Sequence, residues 1–120
     1  VSCDVPSEQV VRALSAAPDP VRLGDVRLST CLDRAVTGGE IARFGTVVAG
    51  AADQLLDRAR TSPRAGYELG FLAGAMLRGR SELGYHDDLV RRFEMLGIDD
   101  LPPASRAAFR RGLAAGRTTG

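Results

Sequence analysis

Residues 40–79 read EIARFGTVVAGAADQLLDRARTSPRAGYELGFLAGAMLRG, and the spacing of their apolar positions decides the fold class. Over 40–60, Ile41, Phe44, Val48, Ala51, Ala52, Leu55, Leu56 and Ala59 recur at intervals of three and four and form one stripe. Arg43, Thr46, Asp53 and Asp57 lie on the opposite side. Glu40 in the first turn and Arg58 and Arg60 in the last suit the helix dipole. Ser62 and Pro63 then supply an N-cap and a proline at the first helical position, and a second helix is predicted over 63–79.

That second helix differs in kind. At 100° per residue Leu69, Leu72 and Met76 fill one side, and Gly66, Gly70 and Gly74 form a neighbouring strip. Tyr67, Phe71, Ala73 and Leu77 occupy most of the remainder, leaving Arg64, Glu68 and Arg78 on a narrow polar edge. A helix apolar around most of its circumference is a central one. Each interior glycine costs about 1 kcal/mol relative to alanine, so Gly66, Gly70 and Gly74 must be offset by close approach of another backbone. The expected partner is the helix over 40–60, whose Gly45, Ala49 and Ala52 are similarly small. A second subunit and a ligand groove are the alternatives.

Outward from this pair, proline and glycine divide the rest of the chain. A helix is predicted over 7–17, ended by Pro18-Asp19-Pro20, followed by a stretch, Val21–Val26, that could be extended. Another is predicted over 28–37, with Leu28, Cys31, Leu32, Ala35 and Val36 on one face and Gly38-Gly39 as its terminator. A fifth covers 87–96, opened by Asp87-Asp88 and stopped by Gly97, and a last one covers 104–115. The expectation is an all-α fold: one compact domain over 1–120, a bundle of five to six helices around a central antiparallel hairpin of the third and fourth. Residues 1–6 and 117–120 are expected to fray.

Composition narrows the class. A chain of 120 residues, 44% apolar and 26% charged, can bury a core and is not disordered. Sixteen basic residues against fifteen acidic ones leave +1, so no global field recruits nucleic acid or an anionic membrane. No apolar run reaches the roughly 18 residues of a membrane span, and the first residues lack a basic-then-apolar leader, so the expected location is cytoplasmic. All sixteen basic residues are Arg, Lys, Asn and Trp are absent, and Ile41 and Ile98 are the only isoleucines, a pattern that points to a bacterium with a GC-rich genome. Cys3 and Cys31 make no CxxC pair, and Cys31 reads as a small buried hydrophobe. A Cys3–Cys31 bridge is geometrically open, but a cytoplasmic home keeps it reduced.

The chain echoes itself. Arg64-Ala65-Gly66-Tyr67-Glu68-Leu69-Gly70 aligns with Arg106-Ala107-Ala108-Phe109-Arg110-Arg111-Gly112 at an offset of 42 residues, and Ala73-Gly74 aligns with Ala115-Gly116. The Ala65, Tyr67, Leu69, Gly70 pattern resembles the opening of a Sel1-type or tetratricopeptide-like helical hairpin, in which an aromatic and a glycine pack one helix on the next. Two copies fall short of the three a solenoid needs, and the spacing is long for those repeats, so no family is assigned.

Catalytic signatures are sparse. His86, the one histidine, lies beside Asp87 and Asp88 but has no second ligand at zinc spacing, and the two aspartates suit a helix N-terminus. Neither a phosphate-binding glycine loop nor a calcium loop occurs, and no cofactor or metal is implied. Residues 104–120 carry Arg106, Arg110, Arg111 and Arg117 and no acid, so Arg106, Arg110 and Arg111 are candidate phosphate or partner contacts. Phe109 and Leu113 on the same helix are the candidate interaction surface. The function expected is that of a non-catalytic protein-interaction or regulatory module, with a homodimer as its expected form. The alternative is a nucleic-acid-associated regulator using the Arg-rich last helix, and a small enzyme or ligand-binding domain comes third.

Overall fold

Pro6, extended at φ −70° and ψ 158°, leads into α1 (Ser7–Ala13), which tightens into a 3-10 turn at Leu14–Ala16. The computed structural model describes residues 3–17, 19–34, 37–78 and 97–120. Val10, Val11 and Leu14 are buried, and the Ser7 hydroxyl ties α1 to the next long helix by donating to the Val47 carbonyl at 2.8 Å. The stretch after Pro20 is a two-strand hairpin, β1 (Arg22–Leu23) against β2 (Val26–Arg27), in which Leu23 pairs with Val26. Gly24 turns it at φ 68°, a left-handed value that favours glycine. Val21, Leu23 and Val26 all point into the core.

α2 (Leu28–Arg34) follows directly, with Leu28, Cys31 and Leu32 buried. Gly38 and Gly39 do not terminate it, contrary to expectation; they open α3 (Gly38–Ala59). Thr37 and Glu40 decide this. The Glu40 amide donates to the Thr37 hydroxyl at 3.1 Å and the Thr37 amide donates to the Glu40 carboxylate at 3.4 Å, a reciprocal capping box. Phe44, Val48, Ala51, Ala52, Leu55 and Ala59 form the buried stripe of α3, and a turn at 60–62 reverses the chain into α4 (Pro63–Arg78). α3 and α4 are the antiparallel central hairpin. α4 is buried over most of its circumference, from Ala65 to Met76, and packs on α2, α3 and the last helix.

After Gly97, left-handed at φ 84°, a short 3-10 turn at Ile98–Asp100 leads to α5 (Pro103–Thr119). Leu101 seals the bottom of the hairpin against Ala59 and Ala65. The buried Ser105 hydroxyl donates to the Ala59 carbonyl at 2.6 Å, so the last turn of α3 is capped from α5. α5 does not stop at 115, and residues 117–120 are not frayed: the helix runs through Thr119, and Gly120 is buried with its carbonyl accepting from Ser29 at 2.8 Å. The Arg78 guanidinium donates to the Arg117 and Thr118 carbonyls at 3.3 and 2.6 Å, supplying donors that a helix C-terminus lacks.

Among the described residues the fold is therefore five α-helices and one short hairpin, and no helix is long and apolar enough to cross a membrane. The helix expected over 87–96, with His86, Asp87 and Asp88, lies outside the described residues. At the N-terminal end Cys3 and Cys31 are joined in a disulfide, with Cα atoms 5.6 Å apart. Cys31 is buried at 2% exposure, but as half of a cross-link and not as the reduced thiol expected of it.

Candidate functional site

α4 and α5 run in the same direction, side by side, with their backbones in contact. A Cβ placed on Gly66 would stand 2.6 Å from the Ser105 carbonyl oxygen; one on Gly70 would strike the Phe109 carbonyl, and one on Gly74 the Leu113 carbonyl. The partner of the glycine strip is thus α5, not α3 as expected. Contacts return from the other side: Gly112 faces the Tyr67 carbonyl and Gly116 the Phe71 carbonyl. Such closeness is open only to glycine, because any side chain would occupy the partner's backbone.

The register of this pair is the register of the sequence echo. Gly70 meets Phe109 and Leu113, while Gly112, 42 residues later, meets Tyr67 and Phe71, which lie 42 residues before Phe109 and Leu113. Gly74 meets Leu113 and Arg117, and Gly116 meets Phe71 and Ala75, again offset by 42. The two helices are related by a local pseudo-twofold axis along the pair. The five glycines forgo about 5 kcal/mol of helix propensity relative to alanine. Their Cα–H groups point at five carbonyls, and weak Cα–H···O contacts of about 0.5–1 kcal/mol each, with backbone dispersion, offset most of that cost.

The sequence offers Gly112 and Gly116 only as members of the echo and not as close-packing residues, and nothing in it points to Ser105. The echo also carries the signal for the pairing of these two glycines with Gly66, Gly70 and Gly74, since repeated small positions on two helices are mutually complementary. Phe109 and Leu113, the candidate interaction surface, are half-buried and pack back onto the main core. Arg106 is also partly buried, and its Nε is enclosed with no hydrogen-bond partner among the described residues. Arg110, Arg111 and Arg117 are exposed, together with Ala104, Ala107 and Ala114, on the side of α5 away from α4.

Elsewhere on α4, the Arg64 guanidinium joins the helix to the 3-10 turn that follows α1. It donates to the Glu68 carboxylate at 3.1 Å and to the Ser15 and Ala17 carbonyls at 3.0 and 2.6 Å, and it stacks 5.2 Å from the centre of the Tyr67 ring. This arginine anchors the turn after α1 onto α4 and is committed to structure. Among the described residues no group of three or more His, Cys, Asp or Glu side chains could hold a metal ion. Compared with protein-family models, with curated proteins and with solved structures, the chain matches none.

Proposed function

We propose that this domain is a non-catalytic interaction module that presents the outer side of α5 to an acidic protein surface. The observation that carries the reading is the division of α5 into two faces. Ser105, Ala108, Gly112 and Gly116 are buried toward α4, while Ala107, Arg110, Arg111, Ala114 and Arg117 are exposed. Alanines between arginines make a low strip on which a second helix or strand can lie closely, with guanidinium groups at its margins to pair carboxylates bidentately. No acid occurs in α5 to neutralise them. The same charge disfavours a symmetric dimer through this face, because each arginine would meet its own copy. A net charge of +1 supplies no long-range attraction for a nucleic acid, which makes phosphate the second choice of ligand.

A photoreactive amino acid placed at Ala107 or Ala114, in the chain expressed in its own host, tests this. The expected result is a discrete protein adduct at both positions, absent when the probe sits at exposed Ala42 on α3. The adduct should disappear when Arg110, Arg111 and Arg117 are changed to Gln. Adducts with nucleic acid at Ala107 would establish the alternative, and equal labelling at Ala42 would overturn the assignment to α5.

A further inference from the structure

We infer that this domain matures and works in an oxidising compartment, where a disulfide-donating thiol oxidoreductase acts on Cys3 and Cys31. The inference stands apart from the reading of α5. Cys3 precedes α1 and Cys31 lies in the middle of α2, so the bond closes a sequence separation of 28 that contains all of α1 and the β-hairpin. Both residues lie against the core: Cys31 is 2% exposed, and Cys3 is partly buried against the main cluster. A redox-sensing cysteine needs an accessible thiolate in an electropositive setting, whereas a sheltered pair flanked by Val10, Leu28 and Leu32 in one apolar cluster has the character of a permanent cross-link. Such bonds persist where no glutathione or thioredoxin pool reduces them.

The chemistry balances through a donor disulfide. The Cys3 thiolate attacks one sulfur of the donor, displacing the other as a thiolate and forming a mixed disulfide. The Cys31 thiolate then attacks the Cys3 sulfur and expels the second donor thiolate. The protein loses two electrons and two protons, and the donor leaves as a dithiol. The bond secures the segment before α1 to α2, the same helix whose Ser29 holds the Gly120 carbonyl at the far end of the chain.

Acid-quenching host cells, unfolding the full-length chain in guanidinium and alkylating it with N-ethylmaleimide reads the state in which the protein exists. The expected result is an unmodified mass without prior reduction and two added maleimides after it. The Cys3→Ser chain, processed alongside, should take one maleimide without reduction, which shows that the trapping reaches Cys31. Two maleimides on the unreduced parent would overturn the inference, since the protein would then live as a dithiol. Fractionation of the same cells should recover the bonded form outside the cytoplasm, and recovery of that form from the cytoplasm alone would equally overturn it.

Discussion

Gly70 and Gly112 are images of each other across the contact between α4 and α5. The face of Gly70 meets the Phe109 carbonyl and stands 2.9 Å, at Cβ position, from the Leu113 nitrogen; the face of Gly112 meets the Tyr67 carbonyl and stands 2.9 Å from the Phe71 nitrogen. Each glycine thus rests on the residue three before the other. Parallel pairing of this kind lets two short helices share backbone surface without large side chains between them, and it uses a sequence repeat as its own complement.

The first prediction follows from that contact. Gly70→Ala should destabilise the protein by about 1–3 kcal/mol, because overpacking against a carbonyl outweighs the better helix propensity of alanine. Gly39→Ala, where a new Cβ meets nothing within 4 Å, should instead be neutral or stabilising by up to about 1 kcal/mol. Urea unfolding of both variants checks the contrast. A Gly70→Ala chain as stable as Gly39→Ala would show that the helices do not approach closely.

Ser105 carries the second. Removing its hydroxyl leaves the Ala59 carbonyl buried without its donor, so Ser105→Ala should cost about 1–3 kcal/mol. Ser105→Thr keeps the hydroxyl and separates loss of the bond from loss of shape. Equal melting of parent and Ser105→Ala would remove the bond from the account.

Thr37 and Glu40 give the third. Thr37→Ala should lose about 1 kcal/mol by uncapping α3, while Thr37→Ser or Thr37→Asp should retain most of it. Amide exchange in the first turn of α3 should accelerate in the alanine variant. Unchanged exchange there would mean that Gly38-Gly39 do not start the helix through this cap.

Reduction of the disulfide gives a fourth. Opening a closed loop with a separation of 28 should lower stability by about 3–4 kcal/mol in the chain-entropy treatment. The melting temperature should fall on adding dithiothreitol to the parent, and the Cys3→Ser chain should ignore the reagent. A parent insensitive to reductant would show that the bond contributes no stability.

The fifth concerns Phe109. Because its ring packs onto the core and is only half-buried, Phe109→Ala should lower monomer stability by about 1.5–3 kcal/mol. The Arg110, Arg111 and Arg117 triple change to Gln should leave the unfolding midpoint within about 0.5 kcal/mol of the parent. Thermal melts of the two variants check the assignment of one face to folding and the other to binding. The reverse order would exchange those assignments.

Sequence by itself determined the local elements of this protein. The apolar period over 40–60, the proline after Ser62 and the glycine-laden apolar helix beyond it specify an α3–α4 hairpin, because helical periodicity and capping act over a few residues. Gly38-Gly39, expected to end a helix over 28–37, instead open α3, because the reciprocal Thr37–Glu40 capping box outweighs the preference of glycine for a helix C-terminus. Two matters were decided only by tertiary structure. One is which backbone fills the groove of Gly66, Gly70 and Gly74: α3 and α5 both offer small residues, and only α5 repeats the spacing in the register that lets carbonyls and Cα–H groups meet. The other is the fate of the chain ends, where Cys3 reaches Cys31 and Gly120 reaches Ser29 across 91 residues of sequence. Local patterning carries no record of such contacts, since they depend on where the packed helices leave each end in space.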